Sequence, residues 1–140
     1  PQCPGMNNDL LAKPILTASD LHRYWQELMS PLGFTGRRLY FFFLDEERHA
    51  LRTLHEVSEI PARPTTEGVE GLISALSLLD GDFGIAILLA RPGSQPMDDD
   101  DRAWARGLAE AARSLGVPLE PMHLATDRYL VPFAGDDLIG

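Results

Sequence analysis

The sequence predicts a single α/β domain: a mixed β-sheet with helices packed against it. Two apolar runs, Leu39 to Leu44 and Phe83 to Ala90, are too apolar on both faces for exposed strands and read as buried ones. Three amphipathic stretches, each apolar at helical spacing, alternate with them. At 140 residues the chain is long enough for one core that is stable without disulfides or a structural metal.

The elements follow in order. Residues 1–18 are weakly patterned and read as an N-terminal arm, leaving 19–140 as the domain. Residues before Met6 read as an upstream remnant, and Pro1 to Asn8 has neither the basic start nor the apolar run of a signal peptide. Ser19 is the expected cap of a first helix carrying Leu21, Trp25, Leu28 and Leu32, which Pro31 and Gly33 end. Leu39 to Leu44 is a strand, Asp45 to His49 a polar turn, and Ala50 to Val57 the returning strand of a hairpin. Ile60 to Thr66, with two prolines, is a connector.

Thr66 is the expected cap of a second helix with a stripe of Val69, Leu72, Ile73, Leu76 and Leu79, ended by Asp80-Gly81-Asp82. The strand Phe83 to Ala90 and the loop Arg91 to Pro96 come next. Asp98 to Asp101 open a third helix that buries Trp104, Leu108, Ala111, Ala112 and Leu115, and Gly116 is placed to cap its end before Pro118. Two short strands remain, Leu119 to Ala125 and Arg128 to Phe133, turning at Thr126-Asp127. The order is α-β-β-α-β-α-β-β.

Charge narrows the partners. Acidic residues number 21 against 12 basic ones, the formal charge is −9, and Lys13 is the only lysine. Such a surface repels phosphate backbones, so nucleic acid is not expected as a partner. No apolar stretch reaches the 18 residues a membrane helix needs. The single cysteine, Cys3, can form neither an internal disulfide nor a zinc cluster, which favours a reducing, cytoplasmic setting.

Residues 38–138 resemble the JAB/MPN domain, and within it the bacterial RadC-like branch. The resemblance lies in the element order, the loop Arg91-Pro92-Gly93-Ser94-Gln95-Pro96, the acidic opening Asp98-Asp99-Asp100-Asp101 and the helix exit Leu115-Gly116-Val117-Pro118-Leu119. His123 and Tyr129 stand near a histidine and an aromatic of that branch's last hairpin, and Glu56 near the family's catalytic glutamate. The resemblance implies a deaminase-like sandwich fold. In active members a His-x-His pair and an aspartate hold zinc, and the glutamate moves protons at the metal-bound water.

Here the two histidine positions read Leu89 and Arg91, and Asp101 matches the ligand aspartate across a loop one residue shorter. Leucine cannot coordinate a cation, arginine brings a positive charge, and a catalytic zinc needs about three protein ligands. No metal, cofactor or zinc chemistry is therefore expected.

Two readings of Arg91 stand side by side: an internal replacement for the ion, neutralising Asp101 or Glu56, or a solvent-facing loop arginine. Asp98 to Asp101 read as helix-capping carboxylates in preference to a Ca²⁺ or Mg²⁺ site. His123 reads as a packing residue, and His22, His49 and His55 show no mutual ligand spacing. Ser94 lacks the Gly-x-Ser-x-Gly elbow of a hydrolase nucleophile.

The expected function is a non-catalytic domain that binds a protein partner or itself. The alternatives are a hydrolase-type enzyme with an altered site around Glu56, Arg91, Asp101 and His123, and a regulatory domain binding a small ligand in the vestigial pocket.

Overall fold

The computed structural model describes residues 13–30, 32–51, 53–79 and 83–138. Cys3, Met6, Pro31 and the Asp80-Gly81-Asp82 helix stop lie outside them.

Eight elements follow in the expected order: α1 (Ala18–Met29), β1 (Arg38–Phe43), β2 (His55–Ser58), α2 (Thr66–Leu79), β3 (Ile85–Ala90), α3 (Asp99–Leu115), β4 (His123–Ala125) and β5 (Leu130–Pro132). A short 3₁₀ turn, Gly135–Leu138, closes the described chain.

The strands form one mixed sheet in the order β2-β1-β3-β4-β5. β1 runs antiparallel to β2 and to β3, β3 and β4 are parallel, and β4 and β5 are antiparallel. The parallel pair is joined through α3, as a parallel connection needs a crossover.

Alternation along the strands sorts side chains into two layers. Leu39, Phe41 and Phe43 of β1 and Ile85, Ile87 and Leu89 of β3 pack with Val69, Ile73 and Leu76 of α2 and Trp104, Leu108 and Ala112 of α3. Phe42 and Leu44, with Ala86, Leu88 and Ala90, pack on the other face against Leu21, Tyr24 and Trp25 of α1. All six residues of β3 are buried, because helices cover the sheet on both sides.

The structure moves several expected boundaries. Thr17, not Ser19, caps α1: its hydroxyl accepts from Asp20 N, and the Asp20 carboxylate accepts from Thr17 N, a reciprocal capping box. Thr65 rather than Thr66 takes the capping position of α2, accepting from Gly68 N. The expected strand over Leu119 to Ala125 shrinks to three residues plus a bridge from Leu119 to Ile85.

The hairpin return is broken. Leu44 faces Ala50 but Phe41 faces His55, so the return path carries two more residues than the strand opposite. Leu51 and Leu54 pack into opposite layers before β2 begins.

Arg48 ties the turn to the rest of the molecule from a left-handed backbone (φ 70°). Its guanidinium donates to Ile15 O and to both carboxylate oxygens of Glu120. Glu120 in turn lies against Gly84, whose backbone (φ 132°) is one that residues with a side chain rarely adopt. Through this contact Ile15 is buried, and the packed chain reaches back into the stretch read as an arm.

Candidate functional site

At the C-terminal end of β3, the residue after the last strand position is Arg91. Its backbone N–H extends the parallel ladder by donating to Ala125 O. Strand alternation sends its side chain to the α2/α3 layer, following Ile87 and Leu89. There it meets the first turn of α3.

Asp98 caps that helix and Asp101 completes a second capping box, accepting from Asp98 N while Asp98 accepts from Asp101 N. Asp101 is fully buried and Arg91 is 5% exposed. Arg91 Nε lies 3.0 Å from each carboxylate oxygen, and Nη2 lies 2.8 Å from Oδ2. Nη2 also donates to Gln95 O and Pro96 O, which holds the loop against the pair. A second guanidinium, that of Arg37, reaches Asp101 Oδ1 at 3.3 Å.

Both oxygens of Asp101 are thus taken up by N–H donors, and the charge beside it is positive. The hydrogen bonds of Asp101 raise Arg91 further above its ordinary pKa, so it stays charged. At Asp98, burial works against ionisation, yet the Asp101 N–H and the facing arginines keep its carboxyl below the usual range. Of the two readings of Arg91, the geometry matches the internal counterion, not the solvent-facing loop residue.

The rest of the aspartate run is also engaged. Asp99 pairs with Arg102 and Asp100 with Arg63, while Arg102 also reaches Asp137.

Glu56 stands on the other side of the sheet. It pairs with Tyr40, whose ring packs in the α1 layer, and its carboxylate binds Arg38 at 2.7 Å. His123 is also on the α1 side: in the parallel ladder it pairs with Leu88, a member of that layer. The four expected site residues therefore divide two and two. Arg91 and Asp101 meet; Glu56 and His123 are separated from them by the thickness of the sheet. Ser94 and Tyr129 are exposed.

His123 is 1% exposed, and neither ring nitrogen has a hydrogen-bond partner. Leaving such a group unsatisfied costs about 1–3 kcal/mol. Burial above all, and then the neighbouring His22, push its pKa down to about 4, so the ring is neutral at pH 7. The Pro121 carbonyl opposes that shift without making a hydrogen bond of normal geometry. His22, half-buried on α1, lies with its ring centroid 5.3 Å from that of His123. The indole N–H of Trp25, buried in the same layer, also lacks a partner.

Two residues at the Arg91 end escape a reading of the sequence alone. Arg37 carries the Leu39-Phe41-Phe43 alternation one step past the strand, and that phase was its only signal. Asp127 accepts from Gly93 N at 2.7 Å and from Phe34 N at 3.0 Å, tying three loops together where β3 and β4 end. The Gly93 hydrogen bond is the main cause of its lowered pKa.

No model of a known protein family matches this chain, and no curated protein matches it.

Proposed function

We propose that the chain is a non-catalytic domain of the JAB/MPN kind, RadC-like in its second half, that works by binding protein, either a partner or a second copy of itself. The observation that carries this reading is the Arg91 guanidinium seated on the Asp101 carboxylate. On the resemblance, those positions would hold a zinc-ligating histidine and the ligand aspartate. A cation fixed by covalent attachment to the chain neutralises the carboxylate that the metal would otherwise neutralise. A divalent ion entering there would have to displace Arg91 and overcome its charge.

The altered-site hydrolase is not favoured, because Glu56 and His123 are on the opposite face from Arg91 and Asp101. No proton could pass between these groups without crossing the packed sheet.

A surface for protein contact is available at the far end of β3. Leu78 and Leu79 close α2, Phe83 precedes β3 and Leu115 closes α3, and all four are exposed large apolar residues. The bridge between Ile85 and Leu119 brings the end of α3 beside the start of β3, so these side chains share one end of the sheet. Apolar surface of this kind marks contact sites.

Light scattering on the size-fractionated protein tests the reading. Self-association that is concentration-dependent and is lost in the Leu78→Glu, Leu79→Glu double variant is the expected result. A monomer at all concentrations that hydrolyses an amide substrate, with the activity lost in Asp101→Asn, would overturn it.

A further inference from the structure

Among the described residues, His123 is the one side chain buried with two polar atoms unpartnered. The Arg91–Asp101 pair makes no use of it, since the sheet lies between them. His22, on the helix that covers this face, lies with its ring beside it.

We propose that His22 and His123 form a binding site for a zinc-class transition-metal ion. Each would give one ring nitrogen, and water would complete the coordination on the side where His22 meets solvent.

Three observations support this. The first is chemical: neither ring nitrogen of the buried His123 has a hydrogen-bond partner, so a nitrogen lone pair is left over for a metal. Coordination would also give His123 the partner that the protein does not supply.

The second is geometric. With a Zn–N bond of about 2.0–2.1 Å and a ring nitrogen about 1.1 Å from its centroid, an ion lies about 3.2 Å from each centroid. Centroids 5.3 Å apart then subtend roughly 110° at the ion, the tetrahedral angle zinc prefers. A linear two-coordinate ion such as copper(I) would instead need rings roughly 6.4 Å apart on the same Zn-like bond lengths.

The third is electrostatic. His22 is only half-buried, so one of the two ligands meets solvent, and the net charge of −9 favours the approach of cations.

The site differs from the position where the family resemblance would put zinc. It lies on the opposite face of the sheet and uses α1 and β4 instead of β3 and α3. It does not depend on the proposed function.

The test uses the full chain, stripped of metal with a chelator, titrated with Co²⁺ and then Zn²⁺ at neutral pH. One equivalent of Co²⁺ giving a tetrahedral visible band, displaced by Zn²⁺ at micromolar free ion, is expected. His22→Gln, half-exposed and so safe for folding, should weaken binding at least tenfold. The imidazole ¹⁵N resonances of His123 should shift on addition of Zn²⁺ to the native chain.

Absence of binding up to millimolar Zn²⁺ overturns the proposal and leaves a buried water as the partner of His123. So does binding that survives His22→Gln but is lost in His49→Gln. That outcome would place the ion at the surface turn, where Asp45, Glu47 and His49 hold their donor atoms within 4.8 Å of one another. Zinc kept by the His22→Gln, His123→Gln double variant but lost in Asp101→Asn would overturn it too, and would count separately against the proposed function.

Discussion

The two faces of one sheet bury polar groups in opposite ways. On the α2/α3 side, Asp101 and Arg91 are charged, and the Asp101 carboxylate is saturated by Arg91, Arg37 and a capping N–H. On the α1 side, His123 is neutral and neither ring nitrogen makes a hydrogen bond of normal geometry. Burial alone does not distinguish a structural group from a functional one; the completeness of its partners does. A saturated pair holds the end of β3 to the start of α3. An unsaturated imidazole has binding capacity left over.

The largest expected effect comes from unbalancing the saturated side. Arg91→Ala leaves a buried carboxylate whose remaining cation, Arg37, is only at its edge, and should cost about 3–5 kcal/mol of folding stability. Chemical denaturation of the two proteins measures this. Replacing both partners by apolar residues, as in Arg91→Met with Asp101→Leu, should recover most of the loss, because no unpaired charge remains. If the double variant is as unstable as the single one, the pair is more than mutual neutralisation.

Next in size is the acid response of the unsatisfied side. The folded His123 has its pKa near 4 against 6.5 for a free histidine, so below pH 6.5 the unfolded chain binds the extra proton first. Stability should therefore be full above pH 6.5 and decline as the pH falls toward 4, by about 3 kcal/mol from this group. Comparing the metal-free protein with His123→Leu across that window isolates the term. A variant curve with the same slope as the native one would show that His123 is not as buried as its surroundings indicate.

The smallest effect belongs to a pair that stays in contact with water. Arg38 and Glu56 meet at 2.7 Å on the exposed edge of the α1 face, where water and salt screen them. Glu56→Gln should leave the thermal midpoint unchanged within experimental scatter. A clear loss would mean that this carboxylate has a role its exposure does not reveal.

Much of the fold was legible in the sequence because it depends on local patterning. The uninterrupted apolar run of β3 required cover on both faces, and α1 and the α2/α3 pair supply it. The α3 boundaries were legible from Asp98 and Gly116, whose backbone positions at the two ends are those a cap and a left-handed stop need. The helix starts shifted where two capping residues competed. Thr17 prevailed over Ser19 because Asp20 lies three residues on and can return the hydrogen bond. The hairpin was read as one strand because nothing in Ala50 to Val57 announces the two extra residues.

The candidate site was legible in part. Asp101 beside Arg91 could be anticipated from one strand end and one helix start. Grouping Glu56 and His123 with them could not be checked by sequence, since membership of a face depends on register, and a shift of one residue exchanges the faces.

The sequence by itself determined the order of elements, the two-sided burial of β3 and the acidic character of the chain, all properties of residues near one another. Only the tertiary structure decided that Arg91 and Arg37 share one carboxylate, that Glu56 lies behind the sheet from it, and that the rings of His22 and His123 are neighbours. Each depends on which strand edges pair and in what phase. That choice is made by the packing of the whole core, where the favourable terms are spread over many side chains and no single stretch of sequence records the outcome.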